Sequence, residues 1–452
     1  MPAMYSGMHQ IAVLSERKRA ASTPRRLFMG GLIAYRPHVH QRRQSGAIRT
    51  IRLLWMWVAV LGLGAGLGAL GGCTTLGFYK QAIVGQVRLL NARKDVTKLL
   101  TSEDLSPELR SALEDSQAVL QFAENQLGLA ADGRYQDYVA LDRPFVVWNL
   151  VVAPVDSVTP RTWCFPVAGC VSYRGYFSRE RAEANAGKFD PARFDTFVGG
   201  VPAYSTLGWF DDPLLSSFIF WTQPARAELL FHELAHGRLY VPGDTAFNES
   251  FATFVADYAL PLYLAENGPN ERDSKSDPLE VHRLQKKERA RFNALLLLLR
   301  ERIAADFADI PETLADADRR AVALDIRNQR YAAAAGCLIR VKEQFTDPKR
   351  LLAILEGPPN LARLSLVGAY HGWLNAFSTL FADVGQDIER FYTEVEVLAE
   401  LDFDERQIAL ARLNQRFVDS QQQVKPQRDN DYPKDIQCEA LADHSSDGDV
   451  AG

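Results

Sequence analysis

Two histidines and two glutamates occur at a spacing that suits metal-dependent hydrolysis. Residues 232–236 read His-Glu-Leu-Ala-His. In a helix, residues four apart share one face, so His232 and His236 can direct imidazole nitrogens at one metal ion, with Glu233 beside its open coordination position. A catalytic zinc ion takes three protein ligands and a water. Glu249, which opens a second helix-like segment after a tight turn at 241–244, is the natural third ligand.

These residues predict the mechanism of a zinc hydrolase. Zinc would lower the pKa of its water towards neutrality and polarise the scissile carbonyl. Glu233 would act as the general base, accepting the water's proton and passing it to the leaving amine. A further donor would have to stabilise the tetrahedral oxyanion.

The two histidines lie within a helical pattern. Apolar residues recur on one stripe of this segment, namely Ala227, Leu230 and Leu234. Thr222 and Pro224 form a helix start signal. Two core histidines on an amphipathic helix are the competing interpretation, but burial of two imidazoles and two carboxylates without a metal would be costly.

Strand-like and helix-like segments divide the chain near Trp221. The β-rich stretches lie upstream, at 145–152, 169–177 and 196–204. Helical patterns precede them at 86–98 and 106–129 and follow Trp221 at 279–307, 316–345, 363–381 and 387–398. We expect an α+β fold, mainly α, with a small antiparallel β-sheet upstream of the His-Glu-x-x-His helix and a large helical C-terminal body.

Other polar residues carry two interpretations each. Asp257 lies eight residues beyond Glu249, about two helical turns, and either orients a ligand histidine or lies on the surface. His282 sits among charged residues on a segment that is most simply a solvated helix face. Asn248 precedes the third ligand and either belongs to the site or acts near the start of its helix.

The pairing of His-Glu-x-x-His with Asn-Glu-x-x-Ala at 248–252 resembles the glutamate-ligand zinc peptidases, the thermolysin and membrane-alanyl-aminopeptidase group. Three unusual blocks of sequence lie at 163–170, 173–177 and 203–214. They resemble a bacterial predicted-aminopeptidase family, whose members are typically lipoproteins. The resemblance spans most of the chain after Cys73. It implies a zinc peptidase that acts on peptides, and an edge strand near 173–177 or 201–204 that holds extended substrate by main-chain pairing.

The chain departs from the alanyl aminopeptidases in one respect. They carry a Gly-x-Met-Glu-Asn segment whose glutamate binds the free amine of the substrate, and no such segment occurs here. Because related peptidases place a tyrosine or histidine downstream as oxyanion donor, the resemblance makes Tyr370 in Ala-Tyr-His-Gly-Trp the first candidate for that role. An aromatic core residue on a helix is the equal alternative for Tyr370.

The N-terminal region predicts export and lipidation. Residues 53–72 carry no charge and follow several arginines, which is typical of a signal segment. The run ends Leu-Gly-Gly-Cys, so Cys73 is the predicted lipidated first residue of the mature chain. An uncleaved transmembrane helix fits the length but not the glycine-rich end or the cysteine.

The charge of the mature chain bears on its partners. The first 72 residues hold ten Lys/Arg and one acidic residue, so the formal charge changes from −5 for the whole chain to −14 from Cys73 onwards. Such an acidic chain is not expected to bind nucleic acid. Thr74 and Thr75 follow the lipidation site with no retention aspartate, which favours the outer membrane and a globular part facing the periplasm.

Cysteine usage agrees with an oxidising compartment. Cys164 and Cys170 bracket a short loop that a disulfide could close, whereas a metal site made by this pair lacks a second cysteine pair. Cys337 and Cys438 are either a long-range pair or single thiols.

The expected organisation has five parts: an N-terminal extension with the lipoprotein signal segment (1–72), a helical segment (73–140), the zinc metallopeptidase core (141–270), a helical C-terminal region (271–420) and a polar, disordered tail (421–452).

Two functions from different classes remain open. One is a zinc-dependent envelope peptidase, by resemblance an aminopeptidase, and the other is a metal-binding lipoprotein that acts as a chaperone or assembly factor. The general base Glu233 favours the peptidase.

Overall fold

The computed structural model describes residues 73–165, 169–203, 211–268, 277–367 and 372–423. The predicted signal segment and the tail beyond residue 423 lie outside them and stay predictions. The chain divides into two compact units after Gly85, within helix α1 (Cys73–Asn91). Residues 73–85 form the N-terminal part of α1 in one unit, and every other element belongs to the second unit.

The first elements of the second unit follow local sequence signals. After β1 (Lys94–Asp95) and α2 (Val96–Leu100) comes the longer α3 (Pro107–Leu127). The side chain of Ser106 accepts a hydrogen bond from the amide of Leu109 and so caps the start of α3. Gly128 ends α3 in the left-handed conformation at φ 62°. The predicted helix 106–129 is therefore present, whereas 86–98 is interrupted by β1.

The main sheet is antiparallel, with β3 (Val147–Pro154) between β6 (Arg174–Tyr176) and β7 (Phe194–Val201). All residues of β3 except the last are buried, which explains why its sequence is apolar apart from Asn149. The predicted strand 169–177 is split, because β5 (Gly169–Val171) pairs with β4 (Trp163–Phe165) and only β6 joins the main sheet. Helix α4 (Arg179–Ala186), which the sequence did not predict, connects β6 to β7.

A third, small sheet has the order β1-β2-β8, formed with β2 (Asp137–Val139) and β8 (Leu214–Leu215). The chain then continues through helices: α5 (Gln223–Arg238), α6 (Thr245–Asn267), α7 (Pro278–Ala308), α8 (Asp316–Arg340), a 3₁₀ turn (Lys342–Gln344), α9 (Pro348–Leu355), α10 (Leu361–Leu364), α11 (Leu374–Asp383), α12 (Ile388–Glu400) and α13 (Phe403–Gln423). The predicted class, mainly α with small antiparallel sheets upstream of α5, is confirmed.

Some predicted helix bounds are wrong. The segment 316–345 ends as α-helix at Arg340, and 363–381 is broken between α10 and α11. Within the described residues, no helix combines the length and the apolar character that crossing a membrane requires.

Two apolar cores hold the second unit together. The first surrounds α3, α5, α6 and the helices from α11 onwards, and aromatic rings on three of these helices meet in it, namely Phe251, Phe377 and Phe391. The second lies between α7, α8, α9 and α10 and includes Val151 and Ala153 of β3. Strand β3 therefore contributes to both cores, since its Val147 belongs to the first.

A buried ion pair fixes the start of α6. Asp244 caps α6 by accepting a hydrogen bond from the amide of Phe247, and its second carboxylate oxygen lies 2.8 Å from Nε of Arg406 on α13. Both side chains are less than 5 % exposed. Arg406 also donates to the carbonyls of Ala399 and Leu401. The C-terminal helix thus holds the segment that leads into Glu249.

Replacing Asp244 with Asn tests this pair. The amide can still cap α6, but Arg406 would be left as a buried charge without its counterion, so we expect the free energy of unfolding to fall by about 3 kcal/mol. Chemical denaturation measures the loss. Asp387→Asn is the matched control, because Asp387 caps α12 at an exposed position and should change stability by less than about 0.5 kcal/mol. Equal effects of both variants would contradict a special role for the buried pair.

Candidate metal centre

Helices α5 and α6 form a hairpin around the candidate centre. Only residues 239–244 separate them, and so short a connection makes neighbouring helices antiparallel. The side chain of Asn248 closes this connection: its Oδ1 accepts from the amide of Val241 and its Nδ2 donates to the carbonyl of the same residue, both at 2.7 Å. Asn248 is thus a brace of the turn rather than a member of the metal site.

The hairpin brings together three side chains that could hold a metal ion. The Nε2 atoms of His232 and His236 lie 3.2 Å apart. Glu249 Oε2 lies 3.2 Å from His232 Nε2, and Glu249 Oε1 lies 3.7 Å from His236 Nε2. The three side chains offer ligand atoms within 4.8 Å of one another, an arrangement that can hold a metal ion. His236 and Glu249 are buried, whereas His232 is partly exposed, so the group is open on the His232 side.

Glu233 lies next to the ligand histidine on α5 and is 2 % exposed. Its backbone carbonyl accepts from Nη1 of Arg134 at 3.3 Å, and Arg134 also donates to the carbonyls of Ala130 and Ala131. Gly237 makes room for this guanidinium, since a Cβ there would lie 2.2 Å from Arg134 Nη1. The loop before β2 is therefore held against the face of α5 that carries Glu233.

Tyr135 in this loop has an unusual backbone conformation. Its φ is +62°, which is rare for a bulky residue, and its amide donates to the carbonyl of Asp212 at 2.6 Å. Burial raises the pKa of Tyr135 well above its usual value, and the negative charges of Glu233 and Asp212 raise it further. The ring therefore lies in the electrostatic field of the candidate general base.

Two more tyrosines lie near the third ligand, and the sequence analysis missed both. Burial raises the pKa of Tyr240 to about 12, with the charge of Glu249 as the next cause. Burial and Glu249 also raise the pKa of Tyr173 far above its usual value. The rings of Tyr240 and His236 are 6.4 Å apart. The available signals were the four-residue spacing of Tyr240 from His236 and the place of Tyr173 in one of the three unusual sequence blocks.

The predicted oxyanion donor Tyr370 lies outside the described residues. The chain re-enters the described part shortly after it, and the amide of Trp373 donates to the hydroxyl of Ser250 at 3.2 Å. Ser250 follows Glu249 directly, so this end of the segment lies beside α6. The role of Tyr370 stays a prediction.

Further from the ligands, a cluster of charged side chains joins three helices. Nε2 of His282 on α7 is 2.8 Å from Glu228 Oε2, and Nζ of Lys286 is 2.5 Å from Glu228 Oε1. Lys286 also donates to Asp257 on α6. His282 is 6 % exposed, so the interpretation of its helix face as solvated is wrong at this position. The face instead packs on α5.

The cysteines fall into two groups. Cys164 and Cys170 form a disulfide between β4 and β5, with their Cα atoms 3.8 Å apart. Cys337, buried in α8, is also disulfide-bonded. Cys438 lies outside the described residues, and the side chain of Cys73 is not described.

Comparison with known proteins adds one finding. A family model described as "Putative aminopeptidase" matches residues 77–410. No curated protein and no solved structure matches the chain. The match covers more than half of the chain and includes the α5–α6 hairpin with His232, His236 and Glu249. The chain therefore belongs to the family described as Putative aminopeptidase.

Proposed function

We propose that this protein is a zinc-dependent peptidase of the bacterial cell envelope that removes residues from the amino ends of peptides. The observation that carries the proposal is the convergence of His232, His236 and Glu249 within 4.8 Å, with Glu233 adjacent. Family membership supports a peptidase-like function. Zinc dependence and the mechanism below are our proposals.

The donor set suits zinc in its chemistry and its spacing. Two neutral imidazoles and one carboxylate are the ligands of many catalytic zinc sites. A tetrahedral ion with bonds of about 2.1 Å holds its ligand atoms about 3.4 Å apart. The distances from His232 Nε2 to His236 Nε2 and to Glu249 Oε2, 3.2 Å each, and the 3.7 Å from His236 Nε2 to Glu249 Oε1 are close to that spacing. When bound, zinc would supply a Lewis acid for the scissile carbonyl and for water.

Glu233 would serve as the general base. Its carboxylate is buried on the helix that carries both histidines, so it can accept a proton from the attacking water and return it to the leaving amine without competition from bulk solvent. The bonds from Arg134 to the carbonyls of Glu233 and of the 130–131 loop would keep this turn of α5 in place during the transfer.

A neutral phenol would stabilise the oxyanion. Tyr240 is the better placed of the two tyrosines near Glu249, because Tyr240 is partly exposed whereas Tyr173 is buried, with only 9 % of its surface exposed. The raised pKa of Tyr240 keeps its hydroxyl protonated at neutral pH, so it can donate to developing negative charge. Tyr240 and Tyr370 are alternatives for this role.

The proposed cellular location rests on the sequence of the N-terminal region. A lipid on Cys73 would anchor the chain to the outer membrane, and the family domain would act on peptides in the periplasm. The disulfide between Cys164 and Cys170 suits that oxidising compartment.

Zinc binding is testable through stability. Free Zn²⁺ at 100 times its dissociation constant should stabilise the folded protein by about 2.7 kcal/mol, seen as a higher melting temperature that a chelator reverses. Glu249→Gln removes the anionic ligand without changing shape and should abolish most of this gain. Glu124→Gln removes the same charge from an exposed position on α3 and should keep it. A gain that survives Glu249→Gln would place the metal elsewhere.

Peptidase activity is testable with matched peptides that carry free or acetylated amino ends. The zinc-loaded protein should shorten only the free peptides, one residue at a time, as read by mass spectrometry. Glu233→Gln should lower kcat at least 100-fold, because it removes the general base. Internal cuts in both peptide sets would make the protein an endopeptidase. Zinc binding without cleavage of either set would instead support the chaperone or assembly function.

The oxyanion donor is testable by removing one hydroxyl. Tyr240→Phe should reduce kcat by about 10²–10³ with little change in KM, because the lost bond forms only in the transition state. Tyr331→Phe is the control, since Tyr331 donates to the carbonyl of Asn360 in the second core and should affect stability alone. If Tyr240→Phe keeps full kcat, the role passes to Tyr370.

A further inference from the structure

The charged cluster on α5, α6 and α7 occupies a particular level of the hairpin. Glu228 lies eight residues before His236 on α5, and Asp257 lies eight residues after Glu249 on α6. Because the two helices are antiparallel, both carboxylates lie about 12 Å along the helix axes from the His236–Glu249 level. Polar side chains of α5 and α6 therefore meet at two levels of the hairpin. One level holds the proposed metal ligands, and the other holds this cluster.

Helix α7 supplies the partners of these carboxylates at the second level. His282 and Lys286 are four residues apart and share one face of α7. Nε2 of His282 lies against Glu228, while Lys286 Nζ contacts Glu228 and Asp257 together. Without the ammonium, two carboxylates would face each other across the α5–α6 interface, which like charges disfavour.

The charge states of Glu228 and Lys286 agree with a tight bridge, whereas burial raises the pKa of Asp257 above its usual value in spite of Lys286. Burial raises the pKa of Glu228, but Lys286 and His282 more than offset this, and the pKa lies well below its usual range. Burial lowers the pKa of Lys286, but Glu228 and Asp257 more than offset that effect, and the pKa lies above its usual value. The ammonium and the Glu228 carboxylate are thus both charged at neutral pH.

We propose that Lys286 is a positioning residue of the metal centre, which sets the separation of the two ligand-bearing helices by bridging Glu228 and Asp257. This inference rests on the proposed metal site. It assigns a role to α7, which carries none of the proposed ligands or catalytic residues. The lysine acts through the two helices and does not contact the metal or the substrate.

Geometry and charge predict opposite effects of removing this lysine. Loss of one positive charge one to two helical turns from the proposed ligands would by itself strengthen binding of a divalent cation by a few-fold. Loss of a residue that orients ligands typically weakens metal binding by about 10–100-fold. If Lys286 positions the helices, the second effect dominates, and Lys286→Met should bind metal more weakly in spite of the more negative surroundings.

The test is titration of the purified full chain with Co²⁺ in detergent. The visible absorption bands of Co²⁺ report ligand geometry, and competition with a chelator gives affinity. Lys286→Met should bind about 10–100-fold more weakly and show shifted bands. Lys286→Arg keeps the charge and can bridge both carboxylates, so it should restore both readouts. Arg283→Met is the matched control, because Arg283 pairs with Glu280 on the exposed side of α7, and it should not weaken binding.

Each outcome decides between the proposals. If the natural sequence binds no metal, the proposed function fails and this inference fails with it. If it binds Co²⁺ and Lys286→Met binds equally or more tightly with unchanged bands, positioning by Lys286 is wrong and the metal site stands. Thermal unfolding of the metal-free forms distinguishes positioning from a purely structural role of Lys286. In the structural case, Lys286→Met lowers the melting temperature but leaves the Co²⁺ bands unchanged. If Lys286→Met does not fold, Lys286→Gln and Glu228→Gln take its place. Both should bind Co²⁺ more weakly and show shifted bands. Unchanged binding would contradict the proposal.

Discussion

The pairing of α5 with α6 is the interaction on which the candidate centre depends. Polar side chains of the two helices must meet inside an otherwise apolar interface. Buried polar groups are costly unless they have partners. The hairpin meets this requirement at three heights. Asn248 bonds the backbone of the turn, the group of His232, His236 and Glu249 lies further along the helices, and the Glu228–Lys286–Asp257 cluster begins one turn beyond His232. Apolar and aromatic residues fill the interface between these heights.

The elements around the hairpin each fix one part of it. Arg406 of α13 binds the cap of α6, and Arg134 binds the loop before β2 to α5. The ring of Phe251, two residues after Glu249, packs against Phe377 and Phe391. Close packing of this kind makes small displacements costly. The segment that carries Glu249 is held by a buried ion pair on one side and an aromatic cluster on the other, so Glu249 has little freedom to move away from the histidines.

The ligand group could be predicted from the sequence because its geometry is local. The positions of His232 and His236 follow from helix periodicity alone, and Glu249 follows from a short turn between two helical patterns. The fold class was predictable for the same reason, since strand and helix patterns separate cleanly near Trp221. The error at 169–177 has a different cause. This stretch is divided between two sheets, because β5 pairs with the nearby β4 whereas β6 pairs with β3.

The supporting contacts could not be predicted because they join distant parts of the chain. Arg134 and the carbonyl of Glu233 are 99 residues apart, and Asp244 and Arg406 are 162 apart. The error at His282 has the same origin, because a charge-rich helix face suggests solvent until its partner Glu228, 54 residues away, is known. Sequence pattern thus indicates the candidate ligands, whereas the residues that hold them in place emerge from the packing of α5 against α3, α6 and α7.

The tyrosines near Glu249 illustrate how the protein sets the charge of its site. Burial and a nearby carboxylate both oppose ionisation, so the pKa values of Tyr240 and Tyr173 lie above the usual value. A bound cation would favour ionisation and so act in the opposite direction. The negative charge of Glu249 acts against that influence at both phenols. The hydroxyls then remain neutral donors, which can stabilise new negative charge without first having to acquire a proton.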